Sequence, residues 1–430
     1  MKNLETVKYA LKALENSGAQ KAQCEGVFST TWDLTALSGK IELLRTVNDE
    51  TSIAMKGYFD GKMGAASISS GYRQTIDEAA VQCLENSKGG KADDTISFNE
   101  SAEKASFGKA FREPQLKKLI ERTEEFLKNA KERHPNVHIR QLVMLYTQEE
   151  RVYCNSFGAE LSESDDFYSM SIMFSGFEGD KNSSFNTYNM SFKDLDTPFI
   201  ELGLVDKRLG EAAHMVNTEK SGKKTVGVML VAPHCLRDFL GQLINAYASS
   251  SALIGGNSRW QNAVGSKVAC DSLTLKSCPA DENMAYNTMF TDDGFVCEEQ
   301  TIIEKGVLKS LMPDMYTSQK TGIDRRKSAG GYFTVEAGDT SFEDILSSIE
   351  DGILINRYSG GNAGASGELS GIAKNSFYIK NGKIAGAARE TVISANLSDM
   401  LMNIKAISKE KVNDGGSELP YIAFDNVTII

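Results

Sequence analysis

The sequence predicts an α+β protein of two domains. The first, residues 1–221, is a mixed α/β sheet domain with a subdivision near 86–112; the second, 222–430, is an antiparallel, β-rich domain with a few helices. Three observations predict it. A chain of 430 residues exceeds one ordinary core, and units of about 200 residues follow from how buried surface scales with size. Helical stripes and hairpin signals are interspersed without the regular βαβ rhythm of a doubly wound sheet. A charged segment, Glu219-Lys220-Ser221-Gly222-Lys223-Lys224, interrupts the pattern near the middle.

Taken in order, residues 4–15 place Leu4, Val7, Leu11 and Leu14 on one helical face, stopped by Asn16-Ser17-Gly18. Ser52–Phe59 and Lys62–Ser70 flank a tight Asp60-Gly61 turn and form a hairpin. Thr75-Ile76-Asp77-Glu78 reads as a capping box opening a helix through Leu84, and the polar run Asn86–Asp94 as a surface loop. Pro114 opens a helix with Leu116, Leu119, Ile120 and Leu127 inward. Strands follow at Ile139–Tyr146, Arg151–Asn155 and Phe167–Phe174, then a helix over Leu204–Val216.

Beyond the charged segment, Thr225–Val231 is a strand entering the strongest helix of the chain. Its apolar residues fall at 236, 239, 240, 243, 244 and 247, one continuous stripe. Short strands are expected at Gly294–Ile303, Val307–Leu311, Tyr332–Glu336, Ser376–Lys380 and Lys383–Ala388, with Asn381-Gly382 as a type I′ turn. Thr340-Ser341-Phe342-Glu343 caps a helix, and another runs over Asn396–Ile404. There is no internal repeat.

Composition narrows the function. Hydrophobic residues make up 41% and charged residues 24%, as in soluble globular proteins. No apolar run approaches the roughly 18 residues of a membrane span, and the start has no signal-peptide core, so a cytoplasmic protein is expected. The seven cysteines are scattered without a CxxC pair and read as reduced thiols. A net charge of −11 argues against direct nucleic-acid binding. The short cluster Arg325-Arg326-Lys327 reads as a solvated loop.

Four histidines bound the metal and general-base chemistry. His134 and His138 have the spacing of two ligands on a helix, but Pro135 and Val137 separate them and surface positions are expected. His214 reads as a half-buried packing residue. His234 and Asp238 lie one turn apart on the polar face of the strongest helix; ordinary first-turn polar residues are the plainer reading, and no third ligand is evident. There is no GxSxG elbow, and Gly360-Gly361-Asn362-Ala363-Gly364-Ala365-Ser366-Gly367 lacks the ending of a P-loop. That segment, through Gly360, Gly361, Asn362, Gly364 and Gly367, is a candidate peptide-binding loop. No complete catalytic constellation emerges.

Several segments together resemble the TldD/PmbA family, which carries an old label as modulator of DNA gyrase. They are Leu37–Glu42 and Gly57–Ala66, Asp292-Asp293-Gly294 through Lys309, Met315–Gly322, Gly367-Glu368, Ile379–Ile384, Arg389-Glu390 and Ile393–Leu397. The resemblance implies a division of labour between zinc-bearing TldD-like members, with an HExxxH helix and a C-terminal cysteine ligand, and PmbA/TldE-like members that lack the set. Against HExxxH, Pro233 falls at the first histidine, His234 at the glutamate and Asp238 at the second histidine; Ala373 stands at the cysteine. The resemblance therefore implies a PmbA/TldE-like chain with no zinc or other cofactor and no catalytic residues of its own. It also implies a dimer, formed with a zinc-bearing TldD-like peptidase subunit or with a second copy, that acts on unfolded or extended peptides. Two alternatives stay open: a homodimeric peptide binder, and an independent metal-dependent hydrolase using His234 and Asp238.

Overall fold

The computed structural model describes every residue except Met1, Asp94 and 221–223, together with the side chains of all described residues but 48 and 49. Its α+β architecture is organised around two sheets. The first is built by three long antiparallel strands at its centre, Lys21–Leu37, Val137–Asn155 and Glu160–Glu178, with Lys40–Phe59 and Lys62–Ile68 completing one side. Phe59 faces Lys62 across the Asp60-Gly61 turn, as the hairpin signal predicts. On the other side Glu160–Glu178 is flanked by Lys104–Gly108, in parallel, and by Asn186–Phe192. The helices Lys2–Asn16 and Arg73–Lys88 cover one part of the sheet, and Leu116–Arg133 and Val205–His214 another.

Local expectations are corrected in four places. The helix Arg73–Lys88 begins two residues before Thr75, so the capping box does not form; Tyr72 precedes it with no side-chain cap. Burial of Ile76, Ala79, Ala80 and Cys83 against the sheet, not a cap, sets where it starts. The expected strands Ile139–Tyr146 and Arg151–Asn155 are one 19-residue strand, whose polar middle, Gln148-Glu149-Glu150, hides its continuity from a hydrophobic reading. His214 is exposed in the last turn of its helix, a position that suits a polar side chain near the negative helix end. Arg325 is half-buried against Asp293, whereas Arg326 and Lys327 remain exposed.

In the second sheet, Thr225–Val231 lies between Glu418–Ile429, antiparallel, and Asp351–Ile355, parallel. Most other pairs are antiparallel, including the Phe377–Lys380 and Lys383–Ala388 hairpin. Asn381 and Gly382 both take positive φ, 49° and 74°, as a type I′ turn requires. Ser341 caps the helix Phe342–Ser347 by accepting the Asp344 amide, and Asn396 caps Leu397–Met402. Of the charged segment at the middle, Ser221, Gly222 and Lys223 lie outside the described residues; Thr218–Glu219 already pairs with Ala387-Ala388 of the second sheet. Every residue of the predicted 236–247 stripe is buried in this half's core, which puts the helix Pro233–Tyr247 against the sheet and leaves its first turn at the junction of the two halves.

The halves are joined by polar contacts around a largely buried arginine. Arg151 of the first sheet reaches Glu25 at 2.5 Å, Glu163 at 3.2 Å, Asp292 at 2.7 Å and the Phe290 carbonyl at 2.6 Å. Asp293 is held bidentately by Arg325, at 2.9 and 2.6 Å, and accepts the Met315 amide. Burial pushes the Asp293 carboxyl up, but Arg325 with its further donors holds it below the usual range. Gly294 adopts φ +84°, and a Cβ there would lie 2.5 Å from the Tyr153 ring.

Candidate functional site

A cleft lies where the first turns of Pro233–Tyr247 meet the edge of the first sheet. A cavity of 360 Å³ is lined by Thr187, Tyr188, Asn189, Arg208, His234, Arg237, Asp238, Asn356, Asn375 and Asp414, among others. A second, of 260 Å³, runs over the sheet face at Val143, Leu145, Ser169 and Ser171 and shares Asn189, Arg237 and Asp414 with the first. The two form one continuous cleft.

Its wall on the sheet side is an edge. Asn186–Phe192 pairs with Glu160–Glu178 in unbroken register and, among the described residues, with no other strand. The Ser191 amide points away from that partner and donates to the Asp414 carbonyl at 2.8 Å. Peptide groups alternate direction along an antiparallel strand, so those of Asn189 and Thr187 are directed to the same open side, into the cleft.

The helix side carries His234. Ala232 in extended backbone and Pro233 at the first helical position start the helix, since proline's missing N–H is not needed there. His234 is thereby turned inward, not to the surface. Both ring nitrogens are buried and, among the described residues, make no well-formed hydrogen bond beyond a weak approach to the Asn356 backbone oxygen, and the ring stands edge-on to Tyr188 at 5.7 Å between centroids. Burial pushes the imidazole down to about 3, and the Arg208 charge adds to it, so His234 is neutral. Burial raises the Asp238 carboxyl against the pull of Arg237 and Arg357. Tyr188 is driven up to about 12 by burial, its oxygen accepting the Leu204 amide at 3.0 Å.

The sequence-predicted positions are thus only partly brought together. His234 and Asp238 share the cavity; Pro233 and Ala373 do not line it. Ala373 is buried in the strand Glu368–Lys374, paired with Tyr358. The four positions offer one imidazole and one carboxylate, while proline and alanine offer no donor. Zinc sites use three or four donors from cysteine, histidine and carboxylate, and among the described residues no group of three His, Cys, Asp or Glu is placed to hold a metal. These residues do not fit zinc. His134 and His138 are engaged separately, one with Asp206 at 2.7 Å and the other stacked on Phe177.

The glycine-rich loop sits elsewhere. It is tied to the far end of the same helix, where the Ala363 amide donates to Gln242 and a Cβ on Gly367, at φ +79°, would lie 1.8 Å from the Tyr247 hydroxyl. Gly360 ends a strand against Tyr358, while Gly361, Asn362 and Gly364 are exposed. Gln242 is eight residues from His234, about 12 Å along the helix axis, and the loop lines neither cavity. Sequence reasoning missed Arg208, Asn186 and Asn356, all buried around His234. Only an unusually polar helix face and two isolated asparagines signal them.

Comparison with known proteins places the fold. Residues 224–430 match the family described as PmbA/TldA metallopeptidase C-terminal domain. A metalloprotease PmbA homolog of Haemophilus influenzae is 24% identical over 294 residues, 65% of this chain and 62% of that protein. A metalloprotease of Methanothermobacter thermautotrophicus is 23% identical over 184 residues, 40% of each. The alignments with the first such relatives span about two fifths of those proteins' length, 40%, 36% and 37%. Among solved structures, TldE from Thermococcus kodakarensis superposes with a TM-score of 0.79 at 20% identity over 99% of both chains. A modulator of DNA gyrase from Bacteroides thetaiotaomicron does so with 0.81 at 21%, covering 100% of this chain and 98% of that one. No helix among the described residues is long and apolar enough to cross a membrane. With the motif blocks and the shared two-sheet fold in agreement, residues 224–430 carry the C-terminal domain of the PmbA/TldD metallopeptidase family, and the chain as a whole has the fold of TldD/PmbA-like proteins.

Proposed function

We propose that this chain is a PmbA/TldE-like subunit that holds extended peptide in the cleft and works beside a zinc-bearing TldD-like subunit, without zinc chemistry of its own. The observation that carries the reading is the juxtaposition of an unpaired strand edge, at Thr187 and Asn189, with a helix start where Pro233 and Asp238 stand at the histidine positions of HExxxH and His234 at its glutamate. Strand addition to such an edge grips backbone and is indifferent to side chains, which suits an unfolded or extended substrate. A single imidazole and a single carboxylate leave no way to hold zinc and activate its water. Catalysis then belongs to the partner, and the contribution here is to shape the shared chamber and hold the peptide.

The test is metal analysis of the purified chain beside peptide cleavage, alone and after addition of a TldD-like subunit. The expected result is no stoichiometric zinc, no cleavage alone, and cleavage in the mixture that exceeds the partner's own. Near-unit zinc that survives dialysis, with chelator-sensitive cleavage by this chain alone, would overturn the reading in favour of a hydrolase using His234 and Asp238.

A further inference from the structure

The inner wall of the cleft is more elaborate than backbone pairing requires. Among the described residues, Arg208 Nε is buried without a partner, and the buried ring nitrogens of His234 make no well-formed hydrogen bond beyond the weak approach to the Asn356 backbone oxygen; both residues line the cavity. The rest of the Arg208 guanidinium is engaged, with Glu211 at 2.5 Å and the Asn186 side-chain oxygen at 3.3 Å. A buried donor left unmade costs about 1–3 kcal/mol, so unpartnered groups gathered at one wall mark a place that a ligand completes.

The charges around them select the ligand. Glu211 is spent on Arg208 and on the Asn356 side chain at 3.1 Å. Asp414 is occupied by Arg237 and by the Gly416 and Ser417 amides. Asp238, on the same helix, faces Arg237 and Arg357. His234 has no carboxylate partner and feels the positive charges of Arg208 and Lys207. A cation entering here would be repelled by Arg208. A ligand with two acceptor oxygens matches this donor set in chemistry, one oxygen for the Arg208 Nε–H and one for a His234 ring N–H that turns from the Asn356 backbone towards the cavity. Charge-assisted bonds of this kind are the stronger class.

We propose that Arg208 and His234 form a carboxylate-binding pocket at the end of the cleft, which anchors a carboxyl group of the bound peptide. The donor set stands by itself; naming the peptide as the source rests on the peptide-binding reading above. Free small carboxylates share the chemistry, so the experiment separates the two sources.

A fluorescent peptide without acidic side chains is bound to the full-length chain with its C-terminus either free or amidated. His234 ring resonances are followed while the peptide or acetate is added. The free acid is expected to bind at least about tenfold tighter than the amide, the value of one good charged hydrogen bond. That advantage should vanish in His234→Phe and Arg208→Lys while binding of the amide persists. The acid-against-amide comparison on the unmodified chain needs no variant to fold. Acetate that displaces the acid peptide and shifts His234 supports the pocket with small carboxylates as ligands. Acetate without effect, beside an acid peptide that shifts His234, supports the pocket with the peptide as source. If neither peptide binds but acetate shifts His234, the pocket stands and the peptide-binding reading fails. Equal binding of acid and amide, with His234 unmoved by either peptide or acetate, overturns the pocket and leaves peptide binding intact.

Discussion

A neutral imidazole sealed beside a guanidinium makes stability depend on pH at the level of one residue. His234 is held near 3 in the folded chain and titrates at its ordinary 6.5 when unfolded. The unfolded state therefore binds the extra proton first. The folded state loses ground as pH falls below 6.5, by about 1.4 kcal/mol per pH unit until the folded value is approached. His234→Gln removes this term, so its stability relative to the parent should rise steadily from pH 6.5 to pH 4.5 in urea unfolding; a difference that stays flat refutes the buried neutral imidazole. Backbone conformation is equally specific at Gly294. Ala there would combine a positive φ with a clash on Tyr153 and should cost at least about 2 kcal/mol, read from the melting temperature. The place of His234 on its helix is legible in the sequence, but its burial is not. Arg208 comes from the helix Val205–His214, and Asn186 and Tyr188 from the strand Asn186–Phe192, all in the other half of the chain, and no local periodicity reports them.

At the scale of the element, the helix Pro233–Tyr247 shows what patterning can establish. Its stripe is legible because six apolar side chains recur on one face and all meet the core. Leu240→Ala should cost about 2–5 kcal/mol, as buried methyls are lost and a cavity remains. Gly241 makes the opposite prediction: a Cβ at this helical position meets nothing within 4 Å. Gly241→Ala should stabilise by about 0.5–1 kcal/mol, because alanine restricts the unfolded chain more than glycine does. Calorimetry on the two variants should move the melting temperature in opposite directions. Strand ends are less legible than this helix. Val137–Asn155 carries Gln148-Glu149-Glu150 in its middle because the flanking strands continue the hydrogen-bond ladder there regardless of polarity.

Across the whole molecule, the division into two sheets is legible from length and from the absence of a βαβ rhythm, whereas the way they dock is not. The Asp292-Asp293-Gly294 block is a recognisable string, but its purpose appears only when Arg151 and Arg325 come from distant segments to hold it. Arg151 is the sensitive point of that joint. Arg151→Met would leave Glu25 and Glu163, both partly buried and both already raised by desolvation, without their cation. The expected loss is about 3–5 kcal/mol, with faster amide exchange at residues 287–294. Unchanged exchange there would show that the joint is held by other contacts.

The pairing pattern also orders the folding of the chain in time. The hairpins of the first sheet, such as that joining Phe59 and Lys62, are short closures that form quickly, and its central pair joins Lys21–Leu37 to Val137–Asn155 across about a hundred residues. The centre of the second sheet joins Thr225 to Ile429, so its register waits on almost half the chain. We predict that the edge at Asn186–Phe192 forms before its covering helix start is placed, a hazardous interval for an unpaired strand. Ligand captured by the cleft would report the final docking step, and refolding followed by peptide fluorescence should lag refolding followed by the first sheet's tryptophan, Trp32.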